Sequence, residues 1–272
     1  MFQTFDETAS PDQGPPRLQA LRGAMERAGV DGFLVPRADA HQGEDVAPHD
    51  ERLSWLTGFT GSAGWCVALK DRAAVFIDSR YTVQVQSQVA ADFEKIDWPA
   101  TSLADWIGEA LPQGTIGFDP WLLTVSQKRD MEKALTGPAL ASCPNLVDEI
   151  WSDQPAPPQG AVFAQPVELA GMAHGEKIRQ LAQGLGKARA CVITLPDSIA
   201  WLLNIRGSDV AHNPVPHAFA ILHNSRRRST LRTSFRQACS SDICRHGVRF
   251  ETYLLCRSKN EKTRSVSSTQ QA

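Results

Sequence analysis

The chain has 272 residues, 42% of them hydrophobic and 21% charged, with a formal net charge of -2. This composition fits an ordinary soluble protein with room for two domains and gives no reason to expect a nucleic-acid partner. No run of 18 apolar residues occurs, and the start, MFQTFDETASPDQG, has no basic segment leading into an apolar one, so neither a membrane partner nor export is expected and the location read is cytoplasmic.

Pro15 and Pro16 open a first helix whose apolar face is Leu18, Leu21, Met25 and Ala28, stopped near Gly29. GFLVP, residues 32–36, reads as a buried strand. A polar loop leads to a helical segment around 53–56, a glycine-rich turn, and strands at 65–69 and 73–77. Helices are expected at 81–89 and 103–111, and a strand at 115–118. Strands alternating with helices give an α/β domain over residues 1–151. SDQPAPPQG, residues 152–160, is rich in proline and lacks apolar periodicity, as a linker does. The pattern restarts with a helix at 176–185, a strand at 190–195, a helix at 198–204 and a strand near 219–222. These make a smaller unit over residues 161–223. Six cysteines at irregular spacing read as free thiols.

One internal repeat is visible. LSWLTGFTGS, residues 53–62, aligns with IAWLLNIRGS, residues 199–208, pairing Trp55 with Trp201, Leu56 with Leu202, Gly61 with Gly207 and Ser62 with Ser208. Each copy follows a short apolar run ending in proline, FLVP and VITLP. Duplication of one α/β unit is the simplest reading, with Trp and Leu anchoring the helix and Gly allowing a tight turn.

VPRADAHQGE (35–44), DERLSWLTGFTGSAG (50–64), FIDSRYTVQVQ (76–86), GFDPWLLT (117–124) and NLVDEIW (145–151) resemble the first domain of three-domain Xaa-Pro aminopeptidases. DSIAWLLNIRGSDVAHNPV (197–215) is similar to their second domain, and the resemblance runs to about His223. It implies two related creatinase N-terminal-like α/β domains, each a mixed sheet flanked by helices, the second truncated. It also implies that catalysis belongs to a third, C-terminal domain, where two divalent metals, usually manganese, sit on two Asp, one His and two Glu. The substrate would be a peptide with proline in second position, and a homodimer is an arrangement the resemblance allows. This chain is then expected to carry no catalytic residue, no metal ligand and no cofactor of its own. From the motif Asp78-Ser79-Arg80-Tyr81 the resemblance carries over one substrate-binding residue, Arg80, which reaches towards the peptide in an intact enzyme. A turn cap or ion pair is the alternative role for Arg80.

Other constellations are weaker. Asp39, His41, Glu44, Asp45, His49 and Asp50 crowd one segment, but their spacing matches no closed metal signature and a solvated loop is expected. Asp45 also stands where the family would place an aromatic residue. Gly61-Ser62-Ala63-Gly64 lacks the first glycine of a nucleophile elbow, and Gly184, Gly186 and Lys187 do not complete a phosphate loop. Arg206, Asp209, His212 and Asn213 suit turn and cap hydrogen bonds, with a domain contact as the alternative.

Residues 224–272 change character, with 11 Lys and Arg against 3 Asp and Glu, a net of +8. Cys239, Cys244, His246 and Cys256 fit no common zinc finger. The segment reads as a basic, disordered Arg/Ser-rich tail translated out of frame. Two functions remain open: an inactive N-terminal fragment of an Xaa-Pro aminopeptidase, or a stand-alone binding or dimerisation module with a basic tail.

Overall fold

GFLVP folds as strand β1 (Gly32–Pro36), and every residue of it is buried, which requires cover on both faces. In the computed structural model, residues 9–223 are described in full and residues 230–235 through their backbone. The first unit runs α1 (Gly14–Ala28), β1, α2 (Arg52–Thr57), β2 (Gly64–Leu69), β3 (Ala73–Ile77), α3 (Gln84–Gln88), β4 (Glu94–Asp97), α4 (Leu103–Ala110), β5 (Thr115–Phe118), α5 (Val125–Ala134), β6 (Ala139–Ser142) and α6 (Leu146–Ile150). Its sheet has the order β4-β3-β2-β1-β5-β6. The β1–β2 and β2–β3 pairs are antiparallel, and β3–β4, β1–β5 and β5–β6 are parallel, so the sheet is mixed.

The period-2 alternation of the central strands divides the core in two. Phe33, Val35, Cys66, Ala68, Val75 and Ile77 face α1, α2 and α6, whereas Leu34, Val67, Leu69, Ala74 and Phe76 face α4 through Leu103, Trp106 and Ile107. Helix α1 buries Leu18, Leu21, Ala24 and Met25. Ala28, expected on that face, is exposed, because the helix ends at Gly29 in the left-handed region (φ 68°) and Ala24 fills the stripe instead.

Three departures from the sequence reading have local causes. The helix expected at 81–89 is a 3-10 turn (Ser79–Tyr81) followed by the short α3, since Asp78 caps the turn and Val83 is 84% exposed. Strands β4 and β6 were not expected: they lie at the two sheet edges, and neither contains a fully buried residue. Helix α5 buries nothing, so it has no apolar stripe to read. A capping box between Thr124 and Gln127 marks its start.

The second unit contains β7 (Phe163–Ala164), α7 (Val167–Ala170), α8 (His174–Gly184), β8 (Ala190–Ile193), α9 (Pro196–Leu203), β9 (Ile205–Arg206), β10 (Ala218–His223) and β11 (Thr230–Phe235). Strands β8, β10 and β11 are antiparallel neighbours in that order, as β1, β2 and β3 are in the first unit. Ile199, Leu202, Leu203, Ile205, Ala220 and Leu222 form its core with Ile178 and Ala182. One expectation changes. The strand near 219–222 is the central one of its sheet, and the tail expected to be disordered from 224 supplies its partner at 230–235, where the backbone of β10 gains a complete antiparallel ladder. Residues 224–229 and 236–272, the rest of that expectation, lie outside the described residues.

The repeat survives in three dimensions. Gly58 ends α2 and Asn204 ends α9, at equivalent positions, and both are left-handed, with φ of 86° and 52°. Leu56 and Leu202 are buried in their respective cores. The two tryptophans differ: Trp55 stacks on Trp151 at 5.2 Å, whereas Trp201 is 52% exposed and does not anchor its helix. Gly61 and Gly207 serve close approach, because an added Cβ would lie 2.2 Å from the Phe59 ring and 2.6 Å from the Pro216 backbone.

Cys66 is wholly buried, and burial pushes its thiol far above the ordinary range, while Cys143 and Cys191 are partly exposed. A thiol reagent should therefore leave Cys66 unmodified in the native chain and label it only after denaturation. Mass-spectrometric mapping checks this, and native labelling of Cys66 would contradict the packing.

Candidate functional site

The registers Pro36↔Trp65 and Gly64↔Ile77, with β5 parallel to β1, bring the C-terminal ends of β1, β3 and β5 to one edge of the first unit. In α/β sheets, the loops at such an edge are the usual place for ligands. Here they carry Asp39, His41, Asp78, Arg80, Asp119 and Trp121.

Arg80 follows the end of β3. Asp78 Oδ1 accepts hydrogen bonds from the Arg80 backbone N–H and from its Nε, both at 2.9 Å, and the Arg80 side chain is 64% exposed. The Arg80 hydrogen bond holds the Asp78 carboxyl below its ordinary range. The turn is tied down by Tyr81, whose hydroxyl lies 2.6 Å from Ser62 Oγ. The side-chain bond from Nε occupies one of five guanidinium donors, so an acid or carbonyl arriving from solvent still meets a planar fork. Arg80 is thus paired at the turn, the alternative role considered for it, and its side chain is also presented outward.

The polar segment read as a solvated loop is exposed at Glu44 and Asp45, but Asp39 and His41 depart from that reading: they are 1% and 4% exposed, because this part of the loop after β1 is pressed against the second unit. Asp39 Oδ1 accepts from the backbone N–H groups of His41 (2.9 Å) and Gly43 (3.2 Å), which fixes the loop. His41 Nδ1 lies 3.2 Å from the Thr194 carbonyl, and its ring stacks on Phe219 at 4.4 Å and tilts over His217 at 4.5 Å. Burial and the neighbouring His217 hold the His41 imidazole below its ordinary pKa. His217 Nε2 is 3.6 Å from Asp39 Oδ2. Beside them Arg52, itself buried, bonds Asp50 at 2.8 Å and Asp148 at 2.6 and 3.2 Å.

The linker is held at both ends. Pro155 O lies 2.6 Å from His49 Nδ1, and Gly160 N donates to Asp209 Oδ1 at 2.6 Å. Asp209 Oδ2 accepts from the His217 backbone N–H, and Asn213 donates to Asp197 at 3.4 Å, so these two residues of the group make hydrogen bonds of the kind expected.

Among the described residues, one set of three potential ligands lies together: Asp39, Asp50 and His217, with donor atoms within 4.8 Å of one another. It contains no glutamate and is the size of a single-ion site, so it does not fit a centre for two metals held by two Asp, one His and two Glu. No step of peptide hydrolysis follows from it. Sequence reasoning could list Asp39 and Asp50 but not His217, which comes from the other unit.

A family model described as Creatinase/Prolidase N-terminal domain matches residues 17–150, and a second of the same description matches residues 153–269. The second match continues past His223, where the resemblance read from sequence stops. A Coccidioides posadasii protein named "Probable Xaa-Pro aminopeptidase P" is 36% identical over 231 residues, covering 81% of this chain and 36% of that protein. Xaa-Pro aminopeptidase 2 of Rattus norvegicus is 36% identical over 219 residues, covering 77% and 32%. The crystal structure of X-prolyl aminopeptidase from Caenorhabditis elegans, described as a cytosolic enzyme with a di-nuclear active site, superposes with a TM-score of 0.80 at 29% identity, over 88% of this chain and 42% of that one. The chain spans about a third of the length of the curated relatives it matches. Among the described residues no helix is long and apolar enough to cross a membrane. With two successive segments matched and aminopeptidases aligning over most of its length, the chain belongs to the creatinase/prolidase N-terminal domain family.

Proposed function

We propose that these residues form the non-catalytic N-terminal part of an Xaa-Pro aminopeptidase, a metallopeptidase that removes the N-terminal residue preceding proline, and that they do not hydrolyse peptides by themselves. The observation that carries this reading is the coverage: about three quarters of the chain aligns, yet only about a third of each relative is spanned. A water activated at neutral pH, an oxyanion stabiliser and a proton donor must be placed together for peptide hydrolysis. The di-nuclear active site that would supply them is named for the C. elegans relative, and the donors described here do not fit it. Catalytic metals, manganese in this reading, are then bound outside the described residues.

The part played by these domains is to frame the substrate. Arg80 is the residue proposed to touch it, because its guanidinium stands exposed at the strand ends with Asp78 fixing its stem. In a full-length enzyme carrying this sequence, Arg80→Ala should lower kcat/KM for a peptide with proline in second position by about 10–100-fold, the worth of one charge-assisted hydrogen bond. Steady-state kinetics check this, with circular dichroism to establish folding. An unchanged kcat/KM would remove Arg80 from substrate binding.

A further inference from the structure

We propose that Asp39, Asp50 and His217 form a binding site for one divalent transition-metal ion, of the zinc type, which fastens the first domain to the second.

Asp39 Oδ2 and His217 Nε2 are both fully buried and have no hydrogen-bond partner, and the side chains that carry them are only 1% and 3% exposed. Their separation of 3.6 Å is too long for a hydrogen bond between them. It is close to the spacing of about 3.4 Å between two donors that each sit about 2.1 Å from a tetrahedral ion. Leaving a buried carboxylate oxygen and a buried imidazole nitrogen each without a protein hydrogen-bond partner is costly. An ion at that point satisfies both. Asp50 offers a carboxylate oxygen to the same set, while Arg52 Nη1 donates to its Oδ1 and Asp39 Oδ1 is fixed by two backbone N–H groups. Such outer contacts orient metal-ligating carboxylates.

One imidazole and two carboxylates suit zinc and its neighbours, and three protein ligands leave a fourth position for water. His41 closes the site from the side through its ring contacts with His217 and Phe219, its Nδ1 being directed at the Thr194 carbonyl. Because two ligands come from the loop after β1 and the third from just before β10, binding holds the two units together.

The test uses the whole chain, stripped with a chelator and titrated with Co²⁺ and then Zn²⁺. The expected result is one equivalent bound, weak visible cobalt bands without the strong near-ultraviolet absorption of thiolate ligation, displacement by Zn²⁺, and a higher melting temperature with metal. Asp39→Asn and His217→Gln should each weaken binding by about tenfold or more, and His212→Gln should not. Far-UV circular dichroism establishes that each variant is folded, and the spectrum of the unsubstituted chain decides independently of them. Failure to bind a stoichiometric ion, or binding with thiolate absorption that survives both substitutions, would overturn the proposal.

Discussion

Arg52→Ala should destabilise the first domain by about 3–5 kcal/mol, the usual cost of removing one partner from a buried ion pair. The Arg52 side chain is only 6% exposed and joins Asp50, two residues away, to Asp148 at the start of α6 through a two-pronged contact. Burial alone would disfavour its charge, but hydrogen bonds and attraction from Asp148 and Asp50 outweigh that, so its pKa lies above the ordinary arginine range. Alanine would leave two carboxylates without their cation. Arg52→Lys should recover only part of the loss, since an ammonium cannot reproduce the fork that meets both Asp148 oxygens. Urea denaturation followed through the tryptophans of the first domain reads the effect. A loss below about 1 kcal/mol would mean that this triad is no more than a surface pair.

Leu56→Ala and Leu202→Ala should each cost about 2–5 kcal/mol, and each should lower the stability of its own domain. These leucines occupy equivalent places in the repeat and are buried in separate cores. The paired tryptophans should behave unequally: Trp55→Ala removes a ring stacked on Trp151 and covered by Arg17 at 4.4 Å, whereas Trp201 is half exposed. Scanning calorimetry on the four variants separates the cases. Equal losses at Trp55 and Trp201 would contradict the packing described here.

Much of the first domain was legible because its central strands are apolar on both faces and its helices carry stripes. β1, β3 and β5 have the bounds that the apolar runs suggest, and β2 begins one residue earlier. What escaped reading has a physical reason in each case. Helix α5 buries no side chain, and the edge strands β4 and β6 are too polar or too small to show a pattern. Strand β11 sits in an Arg- and Ser-rich stretch whose composition suggests disorder, but its backbone completes the sheet of the second unit by pairing with β10.

The candidate sites divide in the same way. Arg80 could be picked out because its motif is contiguous in sequence. The Asp39, Asp50 and His217 group could not, since burial of the loop and the approach of His217 depend on how the two domains pack. Polarity alone suggested solvent for Asp39 and His41, and tertiary structure buries them where the two domains meet.

The most direct measurement of the central claim is release of the N-terminal residue from a peptide with proline in second position, by the purified 272-residue chain supplied with manganese. No release above the peptide-only control is the expected result, because the hydrolytic metal centre is assigned outside the described residues. Metal-dependent release by a preparation free of other peptidases would contradict the account.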